Sequence, residues 1–347
     1  MTRAGRTLLV LGSAGLGVAA GVAAERALMR VSFPTPADGD DAVGTLRGDP
    51  HPLTADDGTV LHVEIDEPAD PAQGDVTVVF SHGYSLNLDT WHYQRQALRG
   101  RARLVLWDQR SHGRSGRAAP NGPIIDQLGR DLARVLDACA ATGPVILVGH
   151  SMGGMTVMAL AAERPELFGG RIRGVALIAT SAGGLDDLDL HLPQPLARLF
   201  HKEAPRVAAA LAARSELIDR NRARTTDLDF LLTKRLSFGG GVSRDQARFV
   251  ADLIGSTPIE VVADFLPEFD HHDKMRALSA LDRVETLVMV GDRDVLTPES
   301  HSRQIVREVP GAELVILPAT GHMIITERHQ EVSEHLVDLL ATVRARG

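Results

Sequence analysis

The chain has 347 residues, with 37 Lys and Arg against 45 Asp and Glu and a formal charge of -8. That balance, without a basic stripe, argues against general nucleic-acid binding, and the single cysteine, Cys139, rules out an internal disulfide. Hydrophobic residues make up 44% and aromatics only 4%, so the length allows a large core built mostly from Leu, Val, Ala and Ile.

Residues 8–24 carry no charge, follow Arg3 and Arg6, and precede Glu25, Arg26 and Arg30. As a helix at about 1.5 Å per residue, residues 7–24 nearly cross a bilayer. Three readings stand open. The segment is an uncleaved anchor, a secretory signal peptide with Val22-Ala23-Ala24 as its small-residue cleavage site, or a helix docked on a cytoplasmic enzyme. The basic flank and the uncharged run together favour membrane association or export. Gly17 and Gly21 would also allow close helix packing there. Residues 31–57, rich in Pro, Asp, Gly and Thr, read as a linker.

From residue 58 the pattern changes. Residues 60–65 alternate apolar and polar, as a half-buried strand does. Residues 76–80, 104–107, 145–148, 175–179, 286–290 and 314–317 are short apolar runs that read as buried strands. Helical patterns separate most of them: residues 91–98, then 124–140 with Leu128, Leu132, Val135 and Leu136 on one face. Cys139 lies in that helix as a small buried hydrophobe. Strands alternating with helices predict an α/β fold with a mostly parallel, eight-stranded-type sheet flanked by helices. The alternation breaks over residues 185–285. That stretch is helical in pattern (204–218, 244–254, 259–265) and interrupted by a flexible Gly239-Gly240-Gly241. It reads as a helical cap inserted between two strands of a core formed by residues 58–184 and 286–347, above the sheet edge where ligands bind.

Gly149-His150-Ser151-Met152-Gly153 joins the 145–148 strand to an Ala-, Met- and Leu-rich helix. A serine in a tight strand-to-helix turn needs glycines around it, and the turn lifts its hydroxyl clear of the sheet. Ser151 is therefore the candidate nucleophile. A serine nucleophile needs a base, and the base needs an orienting group. Gly291-Asp292-Arg293-Asp294-Val295-Leu296-Thr297-Pro298 and Thr320-Gly321-His322 each follow a buried strand. His271-His272-Asp273 reads as a surface polar group rather than a metal cluster, and no metal is expected.

Four motifs give the chain, over roughly residues 58–345, a resemblance to the α/β-hydrolase superfamily, in its branch of serine esterases, lipases and cofactor-free haloperoxidase-like enzymes. Ser81-His82-Gly83-Tyr84 resembles the family's oxyanion loop, and Asp108-Gln109-Arg110-Ser111-His112-Gly113-Arg114-Ser115 resembles its D-x-R-G-H-G-x-S turn, with Ser111 in place of Gly. The others are the Ser151 elbow and the paired Asp and His segments, whose order along the chain, Ser, Asp, His, is the family's. The resemblance implies Asp294 as the acid, with Asp292 its competitor, and His322 as the base. It implies the backbone N–H groups of Tyr84 and Met152 as oxyanion donors. His82, Gly83 and His150 are placed beside the substrate pocket, and the histidines of the motif turns (His82, His112, His150) are expected to hydrogen-bond within those turns. Tyr84 and Trp91 line the acyl pocket or belong to the core.

The expectation is a serine hydrolase cleaving carboxylic esters, lipid or small and hydrophobic, through an acyl-enzyme and without a cofactor. A haloperoxidase or perhydrolase activity and a catalytically silent binding protein are the alternatives. The elbow serine, where epoxide hydrolases and haloalkane dehalogenases carry Asp, excludes those two relatives. The oligomeric state is left open.

Overall fold

The computed structural model describes residues 43–117, 125–185 and 233–346. Ten strands and eight α-helices are defined among them. In chain order they are β1 (Asp49–Pro50), β2 (Leu53–Thr54), β3 (Val60–Leu61), β4 (Val63–Asp66), β5 (Thr77–Ser81), α1 (His92–Leu98), β6 (Arg103–Trp107), α2 (Ile125–Cys139) and β7 (Val145–His150). Then come α3 (Met152–Glu163), β8 (Ile172–Ile178), α4 (Arg244–Ser256), α5 (Ile259–Asp270), β9 (Glu285–Gly291), α6 (Glu299–Glu308), β10 (Glu313–Leu317), α7 (Ile324–Glu327) and α8 (His329–Arg346).

Eight strands form one sheet in the order β1-β4-β6-β5-β7-β8-β9-β10. The pairs from β6 through β10 are parallel, while β1 and β4 join antiparallel at one edge. The parallel strands are apolar throughout because both faces are covered. Val78, Phe80 and Ile146 point into one layer, shared with α8. Val79, Val105 and Leu147 point into the other, shared with α2 and α3. α2 buries one stripe (Leu128, Leu132, Val135, Leu136), whereas α3 is buried on all sides from Met152 to Ala161. Trp91 is fully buried with its ring 5.1 Å from that of Phe80, so it is a core residue. Cys139 is buried and free.

Residues 179–284 lie between β8 and β9 and hold the helical insertion. α4 opens with a reciprocal cap in which Ser243 and Gln246 each bond the other's backbone. α5 contains Pro267, and its Val261 and Phe265 pack with Ile125, Leu128, Met152 and Met155. The insertion therefore rests on the helix that begins at the elbow. The expected helix at 204–218 lies outside the described residues.

Four expectations are corrected. The half-buried strand at 60–65 is two strands: β3 pairs with β2, and β4 enters the main sheet. The break falls at His62, whose N–H is taken by Ser115 Oγ at 2.9 Å and whose carbonyl accepts from Asp108 N–H. The second half of the 31–57 stretch is part of the fold, since β1 extends the sheet and β2 pairs with β3. His272 is buried rather than on the surface, with its Nε2 3.0 Å from the carbonyl of Ser181. Gly239 and Gly240 are held rather than free, both donating backbone N–H groups to Glu327. The uncharged 8–24 segment lies outside the described residues, and no helix among those described is long and apolar enough to cross a membrane.

Candidate active site

Ser151 stands between β7 and α3 with φ 53° and ψ -118°, a conformation that L-residues adopt only under constraint. The constraint comes from the backbone. Ser151 N–H donates to Ile178 O at 2.9 Å, and its own carbonyl accepts from Thr180 Oγ1 at 2.7 Å. The glycines of the motif are required by close approach: a Cβ on Gly153 would lie 2.0 Å from Ser81 O, and one on Gly149 would lie 2.5 Å from Gly153 O. Met152 N–H opens α3 and is one of the amides that the helix itself cannot satisfy.

His322 follows β10, and Asp294 follows β9. Both side chains are buried, and His322 Nδ1 lies 2.8 Å from Asp294 Oδ2. The carboxylate is otherwise saturated. Oδ1 accepts from the N–H groups of Leu296 and Thr297, each at 2.9 Å, and Oδ2 from the Thr297 hydroxyl at 2.9 Å. Burial alone would raise the Asp294 carboxyl, but the adjoining His322 and the Thr297 donors outweigh it and hold the group below its ordinary value. With an ionised carboxylate on Nδ1, the proton sits on Nδ1 and leaves Nε2 as the basic nitrogen. Asp292 does not meet the ring. It is exposed and accepts from Thr320 N–H at 3.2 Å.

His150, the residue before Ser151, links the two halves of the site. Its Nε2–H donates to the carbonyl of His322 at 3.1 Å, and the two rings lie 5.0 Å apart. Burial, and secondarily the neighbouring His322, push His150 down to about 3. Its Nδ1 would stand 2.8 Å from a Cβ at position 83, which leaves room only for Gly83. His82 is fully buried. Its Nδ1–H donates to Gly83 O at 2.7 Å, its Nε2 accepts from Gln109 N–H at 2.9 Å, and burial lowers it to about 4. His112 is likewise buried, donating from Nδ1 to Arg110 O at 3.0 Å, and is lowered to about 3. Ser111 takes φ 65°, the left-handed conformation that suits the glycine it replaces.

Tyr84 lies at the end of the loop after β5. Its ring is 5.1 Å from Phe269 and 6.1 Å from Phe265, and its hydroxyl donates to Val262 O, so it grips α5 of the insertion. Three polar residues have roles that the pattern of the chain alone left unread. Thr297 braces the Asp294 carboxylate, and its signal was the spacing Asp-x-x-Thr, an Asx-type turn. Gln109 bonds His82 O at 2.6 Å and accepts from Thr156 Oγ1 at 2.6 Å, tying the loop after β5 to α3. Glu327 gathers three backbone N–H groups and had no local signal at all.

A serine in a forced turn after a central parallel strand, with an Asp–His couple supplied by the loops after two later strands, is the arrangement of an α/β hydrolase. The chain belongs to that family: the family model for the alpha/beta hydrolase fold matches residues 76–328. Among its relatives, the dihydrolipoyllysine-residue acetyltransferase component of the acetoin cleaving system of Pseudomonas putida is 26% identical over 268 residues. The match covers 77% of this chain and 64% of that protein, so the chain spans less than two thirds of that relative's length. A protein of Caulobacter segnis named for carbamate hydrolysis, RutD, is 26% identical over 282 residues, covering 78% of this chain and 93% of that one. The crystal structure of the enol-lactonase from Burkholderia xenovorans LB400 has 25% identity and a TM-score of 0.63, covering 84% of this chain and all of that one.

Proposed function

We propose that the chain is a serine hydrolase that cleaves carboxylic esters through an acyl-enzyme. The observation that carries this is the buried Asp294–His322 couple, joined through His150 to the strained turn of Ser151. In this reading His322 Nε2 takes the proton of Ser151 as the hydroxyl attacks the ester carbonyl. Asp294 keeps the Nδ1–H tautomer and stabilises the imidazolium. The N–H groups of Met152 and Tyr84 receive the developing oxyanion. The alcohol leaves with the proton held by His322, and water repeats the sequence to release the acid. No cofactor enters the scheme. A similar lactone-cleaving structure supports the choice of esters, since a lactone is a cyclic ester.

The substrate proposed is hydrophobic, lipid or small. Over the elbow, Val261 and Phe265 of the insertion pack on Met152 and Met155 of α3, with Tyr84 and Phe269 beside them, an apolar surround that suits such a substrate. The uncharged 8–24 segment, flanked by arginines, supports placement at or across a membrane.

The test is hydrolysis of p-nitrophenyl esters of two to sixteen carbons, beside aryl carbamates, by the wild type and Ser151→Ala. Ester turnover that the variant loses supports the reading, and the best chain length sizes the pocket. Preference for carbamates would replace the substrate class while keeping the nucleophile. Halogenation with acetate and peroxide in place of ester turnover would favour a perhydrolase. A folded wild type inert in all three assays would overturn enzymatic function.

A further inference from the structure

The carboxylate of Glu327 accepts three backbone N–H groups from two separate stretches of chain. Gly321 donates at 2.8 Å, Gly239 at 3.1 Å and Gly240 at 2.6 Å. Gly321 immediately precedes His322, while Gly239 and Gly240 belong to the insertion between β8 and β9. On the other side of His322, Met323 N–H donates to Ser237 O at 2.7 Å. Both neighbours of His322 are thus tied to residues 237–240, one through Glu327 and one directly. The same segment reaches the acid loop: Arg293 Nη1 donates to Gly239 O at 2.7 Å, and Arg293 N–H donates to Thr320 O at 2.9 Å. The two backbones touch so closely that a Cβ on Gly321 would stand 2.5 Å from Gly239 N.

We propose that Glu327 is a positioning residue for the base: its carboxylate clamps the insertion segment 237–240 to the His322 loop, and so sets the height of the imidazole above Ser151. The inference rests on the reading of Ser151, Asp294 and His322 as one catalytic unit. The three donors are shared between the two carboxylate oxygens, Gly240 on Oε1 and Gly239 with Gly321 on Oε2, whereas a glutamine offers only one acceptor oxygen. A glutamine keeps one oxygen but turns an N–H toward amides that are themselves donors. At least one glycine N–H then loses its acceptor and the loop shifts. Displacements near 1 Å in a reacting group cost about 100-fold in rate, so even a partial shift is measurable.

The experiment compares the full-length wild type, Glu327→Gln and Arg293→Met. The rate at which a fluorophosphonate labels Ser151 is read beside the downfield proton resonance of His322 Nδ1–H. For Glu327→Gln the expected result is labelling slowed roughly ten-fold or more, a kcat that falls more than KM rises, and a displaced or broadened resonance. Arg293→Met, at an exposed position, is expected to show the same changes at smaller size. Equal labelling rates and an unmoved resonance in a folded Glu327→Gln protein, with only a lower Tm, would reduce Glu327 to a structural staple and overturn the proposal. If Glu327→Gln does not fold, Arg293→Met decides, and labelling at the wild-type rate overturns it. A wild type that is folded yet never labelled would instead sink the serine-hydrolase reading itself, and this inference with it.

Discussion

The imidazole of His150 donates from Nε2 to the backbone carbonyl of His322, 172 positions further along the chain. The carbonyl can only accept, so the tautomer of His150 is fixed with its proton on Nε2. The residue that precedes the elbow serine thereby holds the backbone of the candidate base. Replacing His150 by Leu leaves the His322 carbonyl buried without that donor, at a cost of about 1–3 kcal/mol. The expected outcome is a lower urea midpoint and a kcat that falls with little change in KM.

Asp294 and Asp292 should separate cleanly. Asp294→Asn replaces an acceptor of four hydrogen bonds and lets the amide face His322 with a donor or force the other tautomer. Loss of roughly 10⁴-fold in kcat is expected. Asp292→Asn alters an exposed carboxylate and should leave activity within about two-fold, the range of ordinary surface substitutions. Steady-state ester hydrolysis by the two variants is the check.

Acid should unfold this protein early. His82, His112, His150 and His272 are all buried and neutral, lowered to about 4, 3, 3 and 4 respectively. In the unfolded chain each takes a proton near pH 6.5. The unfolded state therefore binds more protons, and stability falls as pH drops from about 6.5 toward those lowered values. Each neutral histidine contributes up to about 1.4 kcal/mol of loss per pH unit. Urea unfolding followed from pH 7.5 to 4.5 should show the decline, and a flat profile would contradict the buried neutral state.

The hydroxyl of Tyr84 joins the loop after β5 to α5, and Tyr84→Phe removes it while keeping the ring contacts with Phe265 and Phe269. A loss of about 1 kcal/mol is expected. Limited proteolysis should become faster within the insertion first, with the Tyr84 N–H, proposed above as an oxyanion donor and untouched by the substitution, left in place for short esters.

The parallel strands were legible because burial on both faces leaves an unbroken apolar run. The Ser151 elbow was legible because its steric demands are written in glycines two residues away on either side. β1 and β2 were not: each is two residues long, and such strands carry no period in a stretch of Pro, Asp and Gly. The break at His62 is imposed by Ser115 and Asp108, far along the chain, and the burial of His272 by Ser181. Glu327 looks like an ordinary helix-end glutamate until the fold delivers three amides to it. The last three misses, His62, His272 and Glu327, share one cause: each depends on polar partners that only the fold brings together, which local pattern does not encode.

The sheet order has a consequence in time. β7 carries the serine turn at the centre of the sheet, while β10, which delivers His322, is the outermost strand and the last one among the described residues. A ribosome releases the serine turn well before it releases the histidine. On the proposed reading, the half-made chain holds a nucleophile with no base and stays inert toward esters around it. Turnover would begin only when β10 docks, so the first hydrolysed substrate also reports that this edge of the sheet has closed.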